Sequence, residues 1–181
     1  MAKRSKRVPN LEVSLRRRLA KHMASRPKEV VRIYPLPKVK QRGSHKVTPL
    51  AEHLKGMSTA NAKAMFNDLM GQVGVLHNNL HIVHADIHPG NIILVNGKPH
   101  LSNFHEAQDF RGDKTTPASA TATSLFMDLS SVLDAFRWKI PEKELESSVE
   151  RYLGKSKYDS DVKKGIVRLV RQYHLRNFRG E

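Results

Sequence analysis

The stretch that most constrains the fold is residues 81–104, which read HIVHADIHPGNIILVNGKPHLSNF. Ile82-Val83 and Ile92–Val95 are short apolar runs rich in β-branched residues, as is typical of strands. Asn96-Gly97 follows the second run, and Asn-Gly between strand-forming residues is a strong signal for a hairpin turn. The sequence therefore predicts a small β-hairpin near the centre of the chain.

A polar turn, residues 86–91 (DIHPGN), separates the two runs. Pro89 fixes its own φ angle and favours an extended conformation at the residue before it. Gly90 allows backbone angles that other residues resist. We therefore expect a rigid loop that directs the carboxylate of Asp86 and the amide of Asn91 into one space.

The segment His84–Asn91, HADIHPGN, resembles the catalytic loop of the protein-kinase-like superfamily. Its HPGN form is similar to the atypical branches of that superfamily, which are the RIO-like, KEOPS-complex, aminoglycoside-phosphotransferase-like and UbiB-like kinases. The resemblance implies that Asp86 orients the acceptor hydroxyl and takes its proton, and that Asn91 binds a magnesium ion. Without the resemblance, the same stretch is only a β-hairpin with a polar turn.

The resemblance also implies ATP and Mg²⁺ as cofactors and, if the protein is active, a kinase of the serine/threonine type. Where the superfamily carries Asp-Phe-Gly, the chain has Ser102-Asn103-Phe104. Asn103 would then be a weak magnesium and nucleotide ligand in place of an aspartate. His84 would brace the loop from below, and Asp128 would be a buried carboxylate that accepts N–H bonds from it. Without the resemblance, Asp128 would be a solvated helix residue.

The fold class that follows is α+β, with a mainly helical kinase-like C-lobe, a small β-hairpin and a reduced N-terminal lobe. Apolar residues at helical spacing predict helices over residues 58–77, 125–136, 142–153 and 161–174. Ser58 is the predicted N-cap of the first helix, and Asn78-Asn79 its predicted end. Gly71 and Gly74 weaken this helix, which suggests close packing of a neighbouring element. Residues 108–123 show no hydrophobic periodicity and predict a mobile loop.

The predicted domains are a basic arm with an amphipathic helix (residues 1–28), a reduced N-lobe with a hinge-like segment (29–56), and a kinase-like C-lobe with a basic C-terminal helix (57–181). Val30–Tyr34 is a strand candidate, and Val47–Leu54 resembles the kinase hinge. No GxGxxG loop and no Val-Ala-Ile-Lys-like strand precede that hinge. These departures argue against ATP binding, or for a protein subunit that completes the lobe.

The net charge of +15 is distributed unevenly. Residues 1–46 hold 15 basic and 2 acidic side chains, residues 47–154 hold 9 and 12, and residues 155–181 hold 8 and 3. Clustered positive charge indicates an anionic partner, most often nucleic acid. We therefore predict RNA or a ribonucleoprotein as the partner. The candidate RNA-binding residues are the basic side chains of the arm: Lys3, Arg4, Lys6, Arg7, Arg16, Arg17, Arg18 and Lys21.

The arm contains an apolar stripe at spacing four, formed by Leu11, Leu15, Leu19 and Met23. A basic amphipathic helix of this kind can lie on RNA, on an anionic membrane, or against the rest of the protein. No aromatic residue anchors the stripe, which disfavours a membrane, and no apolar run approaches the roughly 18 residues of a membrane helix. We therefore expect a cytoplasmic protein with no membrane partner.

Other chemistry is weakly supported. The chain has no cysteine, which excludes disulfides, zinc–thiolate sites and thiol nucleophiles. Its ten histidines include no HxxxH pair on one helix, and its serines lack the glycine pattern of a hydrolase nucleophile. Two functions therefore compete: a small atypical kinase that phosphorylates a hydroxyl group, with impaired catalysis, and an inactive pseudokinase that acts as an RNA-binding scaffold.

Overall fold

The computed structural model describes residues 17, 18, 21, 25, 31–32, 47–110 and 118–178, with side chains described up to residue 173. The strands are β1 (Val47–Pro49), β2 (Ile82–Val83), β3 (Ile92–Val95), β4 (Lys98–Leu101) and β5 (Gln108–Asp109). The α-helices are α1 (Leu50–His53), α2 (Thr59–Val75), α3 (Ala118–Phe136), α4 (Glu142–Lys155) and α5 (Ser160–Phe178). This arrangement confirms the predicted α+β class, mainly helical with a small hairpin.

The predicted hairpin is formed by β3 and β4. Asn96 and Gly97 make its turn with φ angles of 52° and 76°, the left-handed pair that a two-residue hairpin of this type requires. β1 pairs antiparallel with the other edge of β3, which gives a three-stranded sheet in the order β1-β3-β4. β2 pairs with β5 in a separate two-stranded sheet. The two runs that flank the polar loop therefore lie in different sheets.

Helix α2 begins as predicted, with the Ser58 side chain accepting a hydrogen bond from the backbone N–H of Asn61 at 3.2 Å. The predicted end at Asn78-Asn79 is wrong, because the helix continues through a π-helical turn, Leu76–Leu80. This wider turn buries both His77 and Leu80. The chain leaves the helix only at His81, whose φ of 54° is left-handed.

Helix α3 begins at Ala118 and Gln108–Asp109 form β5, so the predicted loop over residues 108–123 is wrong for its first two and its last six positions. Small residues at its start hide the helical pattern, but they allow α5 to approach closely. A Cβ atom added to Gly165 of α5 would lie 2.7 Å from Cβ of Ala122. Residues 111–117 lie outside the described residues. Helices α4 and α5 follow the predicted positions with longer C-terminal ends.

Of the two glycines in α2, Gly74 lies near a neighbouring element and Gly71 does not. A Cβ atom at Gly74 would meet Tyr152 at an ordinary 3.9 Å, and one at Gly71 would meet nothing within 4 Å. The predicted packing of a neighbouring element is therefore wrong at Gly71, where the helix surface is open.

Only a few residues before Val47 are described. Val31 is buried and Arg32 accepts a hydrogen bond at its carbonyl from the Leu101 N–H at 2.8 Å, but neither residue belongs to a strand. The rest of the strand candidate, residues 30 and 33–34, lies outside the described residues, as does most of the predicted amphipathic helix. None of the described helices combines the length and the apolar character needed to cross a lipid bilayer.

Candidate active site

The polar loop is fastened to the helical body by one buried carboxylate. Asp128 of α3 is 1% exposed, and its two oxygens accept the backbone N–H groups of His84 at 2.6 Å and Ala85 at 2.8 Å. Nε2 of His77 lies 3.0 Å from the Asp128 carboxylate and donates to it. These three donors hold Ala85 at a φ of 64°, an angle that a residue with a Cβ rarely adopts.

His77 connects this carboxylate to two tyrosines. Its Nδ1 lies 2.8 Å from the hydroxyl of Tyr152, and its backbone carbonyl accepts the hydroxyl of Tyr158 at 2.8 Å. Burial raises the pKa of both phenols above the usual range, so both hydroxyls remain protonated donors. Sequence reasoning missed His77 and both tyrosines. The available signal was a histidine on the apolar face of a helix.

His84 braces the loop from beneath. Its Nε2 donates to the carbonyl of Ser102 at 2.9 Å, and its Nδ1 accepts the backbone N–H of Asp86 at 3.3 Å. Its ring lies 4.3 Å from that of Phe104. Burial lowers the pKa of His84 and outweighs the opposing effect of Asp128, so the neutral ring is favoured. A neutral ring with its proton on Nε2 matches both hydrogen bonds.

Asp86 lies at the centre of the site, with a side chain that is 34% exposed. Its Oδ2 accepts the side-chain amides of Asn91 at 2.7 Å and Asn103 at 3.0 Å. Nε2 of His88 lies 3.9 Å from the other carboxylate oxygen. The structure thus brings together all three residues for which the sequence predicts roles in catalysis and metal binding.

Local backbone geometry explains this convergence. Asn103 has a φ of 61°, a left-handed angle that asparagine tolerates better than most residues. The carbonyl of Asn91 accepts both the N–H and the hydroxyl of Ser102, at 2.9 and 2.8 Å, which joins the loop to the segment after the hairpin. Gly90 lies close to the ring of His88, 2.9 Å from the place that an added Cβ atom would take, and its N–H donates to Nδ1 of that ring at 3.1 Å.

The donor set at this site fits magnesium in ligand type but not in charge. The Oδ1 atoms of Asn91 and Asn103 have no hydrogen-bond partner among the described residues, and oxygen is the ligand that Mg²⁺ prefers. Asp86 is, however, the one carboxylate of this triad. In the described part of the chain, no group of three or more His, Asp or Glu side chains could hold a metal ion. Asn91 and Asn103 would therefore hold the ion weakly.

The basic residues predicted to bind RNA lie mostly outside the described residues: Lys3, Arg4, Lys6, Arg7 and Arg16. Arg17 and Lys21 are described as helical and exposed. The guanidinium of Arg18 pairs with Asp109 at 2.8 Å and also donates to the carbonyl of Leu80, and its predicted role in RNA binding stays a prediction. Arg18 therefore attaches the arm to the kinase-like body.

The comparison with protein families agrees with this geometry. The family model of the RIO domain matches residues 43–149, which is more than half of the chain and includes the polar loop, the hairpin and Asp128. No curated protein matches the sequence at a significant level. The chain belongs to the RIO domain family of atypical kinase-like proteins.

Proposed function

We propose that this RIO domain protein transfers phosphate from ATP to a hydroxyl acceptor, with a rate limited by weak magnesium binding. The observation that supports this proposal best is the position of Asp86, whose Oδ2 is held by two amides while the carboxylate remains partly exposed. A carboxylate fixed in this way can orient an acceptor hydroxyl and take its proton.

Bound ATP and magnesium would supply the phosphoryl group and the positive charge that neutralises it. The residues of the chain fix the position of the Asp86 carboxylate. Asn91 and Asn103 fix Asp86, and Asp128 fixes the backbone that leads into it. Asn103 is neutral where the related kinases carry an aspartate, and a hard cation prefers charged oxygen ligands. A neutral residue at position 103 should therefore weaken magnesium binding and slow catalysis.

Asn103→Asp is the variant that tests the proposal. It places a second carboxylate beside Asp86, where the amide nitrogen of Asn103 now lies 3.0 Å from Oδ2. Without a metal, repulsion should raise the pKa of one of the two carboxyls in the variant and lower its stability at pH 7 by about 1–3 kcal/mol. Because the folded-state pKa is raised, this deficit grows as pH rises through that pKa and disappears at acid pH.

Magnesium with ATP should reverse the deficit, and the measurement is a thermal-shift series with magnesium and ATP added separately and together. The variant should be stabilised by the pair beyond either alone, and its phosphate transfer should exceed that of the wild type. Asn96→Asp, at the hairpin turn, is the control because it adds the same charge away from Asp86. A variant that loses stability and ignores magnesium and ATP would refute the proposed activity and leave only the fold.

A second candidate function is that of an RNA-binding scaffold, and the uneven charge favours it. The first 46 residues hold 15 of the 32 basic side chains, whereas residues 47–154 carry more acidic than basic groups. A polycationic segment beside an ordinary surface fits a polyanionic partner. The two functions are compatible, because the arm and the triad around Asp86 are separate parts of the chain.

Replacing Lys3, Arg4, Lys6 and Arg7 together by glutamine tests this function without removing Arg18, which contacts the body. If all four side chains contact phosphates of single-stranded RNA, the slope of log K against log salt should become shallower by about 3, since each contact contributes about 0.7. The control replaces Lys55, Lys143, Lys163 and Lys164, which gives the same net charge. Equal slopes in the two variants would show that the arm has no specific role in RNA binding.

A further inference from the structure

A second concave site lies between α2 and α4, away from the triad of Asp86, Asn91 and Asn103. It is a groove of about 820 Å³, and its lining includes Gly71, Asn78, Arg151, Lys155 and Lys157. No residue of the polar loop lines it. We call this the α2–α4 groove. Its volume lies in the range of small-ligand sites.

One residue that lines the α2–α4 groove is Gly71, an exposed glycine inside helix α2. Glycine in a helix interior is unfavourable relative to alanine because it has more conformational freedom to lose. At Gly71 no neighbouring element explains the residue, since an added Cβ atom would meet nothing within 4 Å. The missing side chain therefore leaves open space in the groove.

The charge of the groove is positive. Among the described residues that line it, the one carboxylate is Asp68, and Arg32 neutralises it at 2.7 Å. Arg151 has only neutral partners, Ser148 at 2.7 Å and Asn67 at 3.4 Å. Lys155 and Lys157 make no ion pair with any described residue. Three cations are thus available to an anionic ligand.

An unpaired acceptor belongs to Asn78, another residue that lines the groove. Oδ1 of Asn78 is buried and has no hydrogen-bond partner among the described residues. Buried polar atoms are normally paired, so this atom is unusual. A rotation of the amide toward the groove would let it accept a hydrogen bond from a hydroxyl group. Cations together with an acceptor for a hydroxyl group suit a phosphorylated sugar, which carries an anion and hydroxyl donors in one compact unit.

We propose that the α2–α4 groove binds one nucleotide unit of a single-stranded RNA. The phosphodiester contacts Arg151, Lys155 and Lys157, and the ribose 2′-hydroxyl donates to Asn78. Gly71 leaves room for the sugar. This inference rests on the RNA-binding function proposed above. It adds an RNA contact on the kinase-like body, although residues 47–154 carry more acidic than basic side chains.

The test measures binding of a fluorescein-labelled oligo(U) RNA to the full chain by anisotropy, over a series of salt concentrations. Gly71→Leu fills the groove without changing net charge, and it should raise Kd about fivefold, the scale of one lost hydrogen bond. Gly71→Ala is its matched control, because it makes the same backbone change with a single methyl group. Both variants should melt at or above the wild-type temperature, since either residue favours a helix over glycine.

A double variant, Lys155→Gln with Lys157→Gln, should make the slope of log K against log salt shallower by about 1.4, since each lost phosphate contact contributes about 0.7. Lys143 is exposed and does not line the groove, so Lys143→Gln should leave the slope unchanged. An oligo(dT) DNA should bind the wild type more weakly than RNA and should be less affected by Gly71→Leu. If Gly71→Leu folds and binds RNA like the wild type, the groove is not the site. If the wild type itself does not bind RNA, the RNA-binding function fails with it, and poly-glutamate binding would identify an acidic protein partner instead.

Discussion

Asp128→Ala is expected to lower the free energy of unfolding by about 3–5 kcal/mol, the summed cost of several buried hydrogen-bond donors left unpaired at about 1–3 kcal/mol each. The carboxylate accepts the N–H groups of His84 and Ala85 and the ring N–H of His77. Alanine would leave these three buried donors without an acceptor, and each unpaired buried donor is itself unfavourable. The left-handed angle of Ala85 would lose its support at the same time.

Urea titration followed by circular dichroism gives the free energy of unfolding for the wild type and the variant. Asp161→Ala is the control, because Asp161 is 76% exposed and its carboxylate makes only surface contacts, with Lys164 at 3.6 Å and with the hydroxyl of Ser160 at 3.4 Å. Asp161→Ala should lower the free energy of unfolding by less than about 1 kcal/mol. Equal losses for the two variants would mean that Asp128 does not support the loop.

Asp86→Asn is expected to reduce any magnesium- and ATP-dependent phosphate transfer by about 10²–10⁴-fold, the usual contribution of a positioned acid–base group. The substitution keeps the shape of the side chain and one oxygen that can accept the amides of Asn91 and Asn103. It removes the negative charge that would take a proton from the acceptor hydroxyl. Stability should change little, since the site is partly exposed.

The measurement is transfer of the terminal phosphate of radiolabelled ATP to a protein acceptor or to the chain itself, with unfolding temperatures recorded for both proteins. Asp161→Asn makes the same chemical change outside the site and should keep the wild-type rate. A wild-type rate that survives Asp86→Asn would exclude Asp86 as the base, and would point to a contaminating kinase in the preparation.

Local rules were sufficient for much of the fold. Ser58 caps α2, and Asn96-Gly97 turns the hairpin, because both effects depend on a few neighbouring residues. Tertiary packing decided the points where prediction failed. The first turns of α3 contain small residues whose role appears only when α5 packs against them at Gly165. The π-helical turn after α2, which buries His77, is likewise not indicated by any local rule.

The candidate site likewise has one part that local rules predict and another part that they do not. The convergence of Asp86 and Asn91 could be expected from the rigid loop between them. The contact between Asn103 and Asp86 spans a hairpin, and the sequence alone suggested it only through resemblance to kinases. Arg18 shows a limit of sequence reasoning, since clustered positive charge predicts an anionic partner but cannot identify Asp109, which lies 91 positions later in the chain, as a contact.

Asp128 supports the path of the polar loop through contacts that are separate from the side chains proposed to transfer phosphate. The carboxylate contacts backbone N–H groups at positions 84 and 85, so it does not depend on the side chains that would perform phosphate transfer. Substitutions of the side chains at positions 86 and 91 should therefore leave the path of the loop intact, whereas position 103 also needs a residue that tolerates a left-handed φ. Loss of phosphate transfer would therefore leave the path of the loop unchanged, and an intact fold in this domain is not by itself evidence of activity.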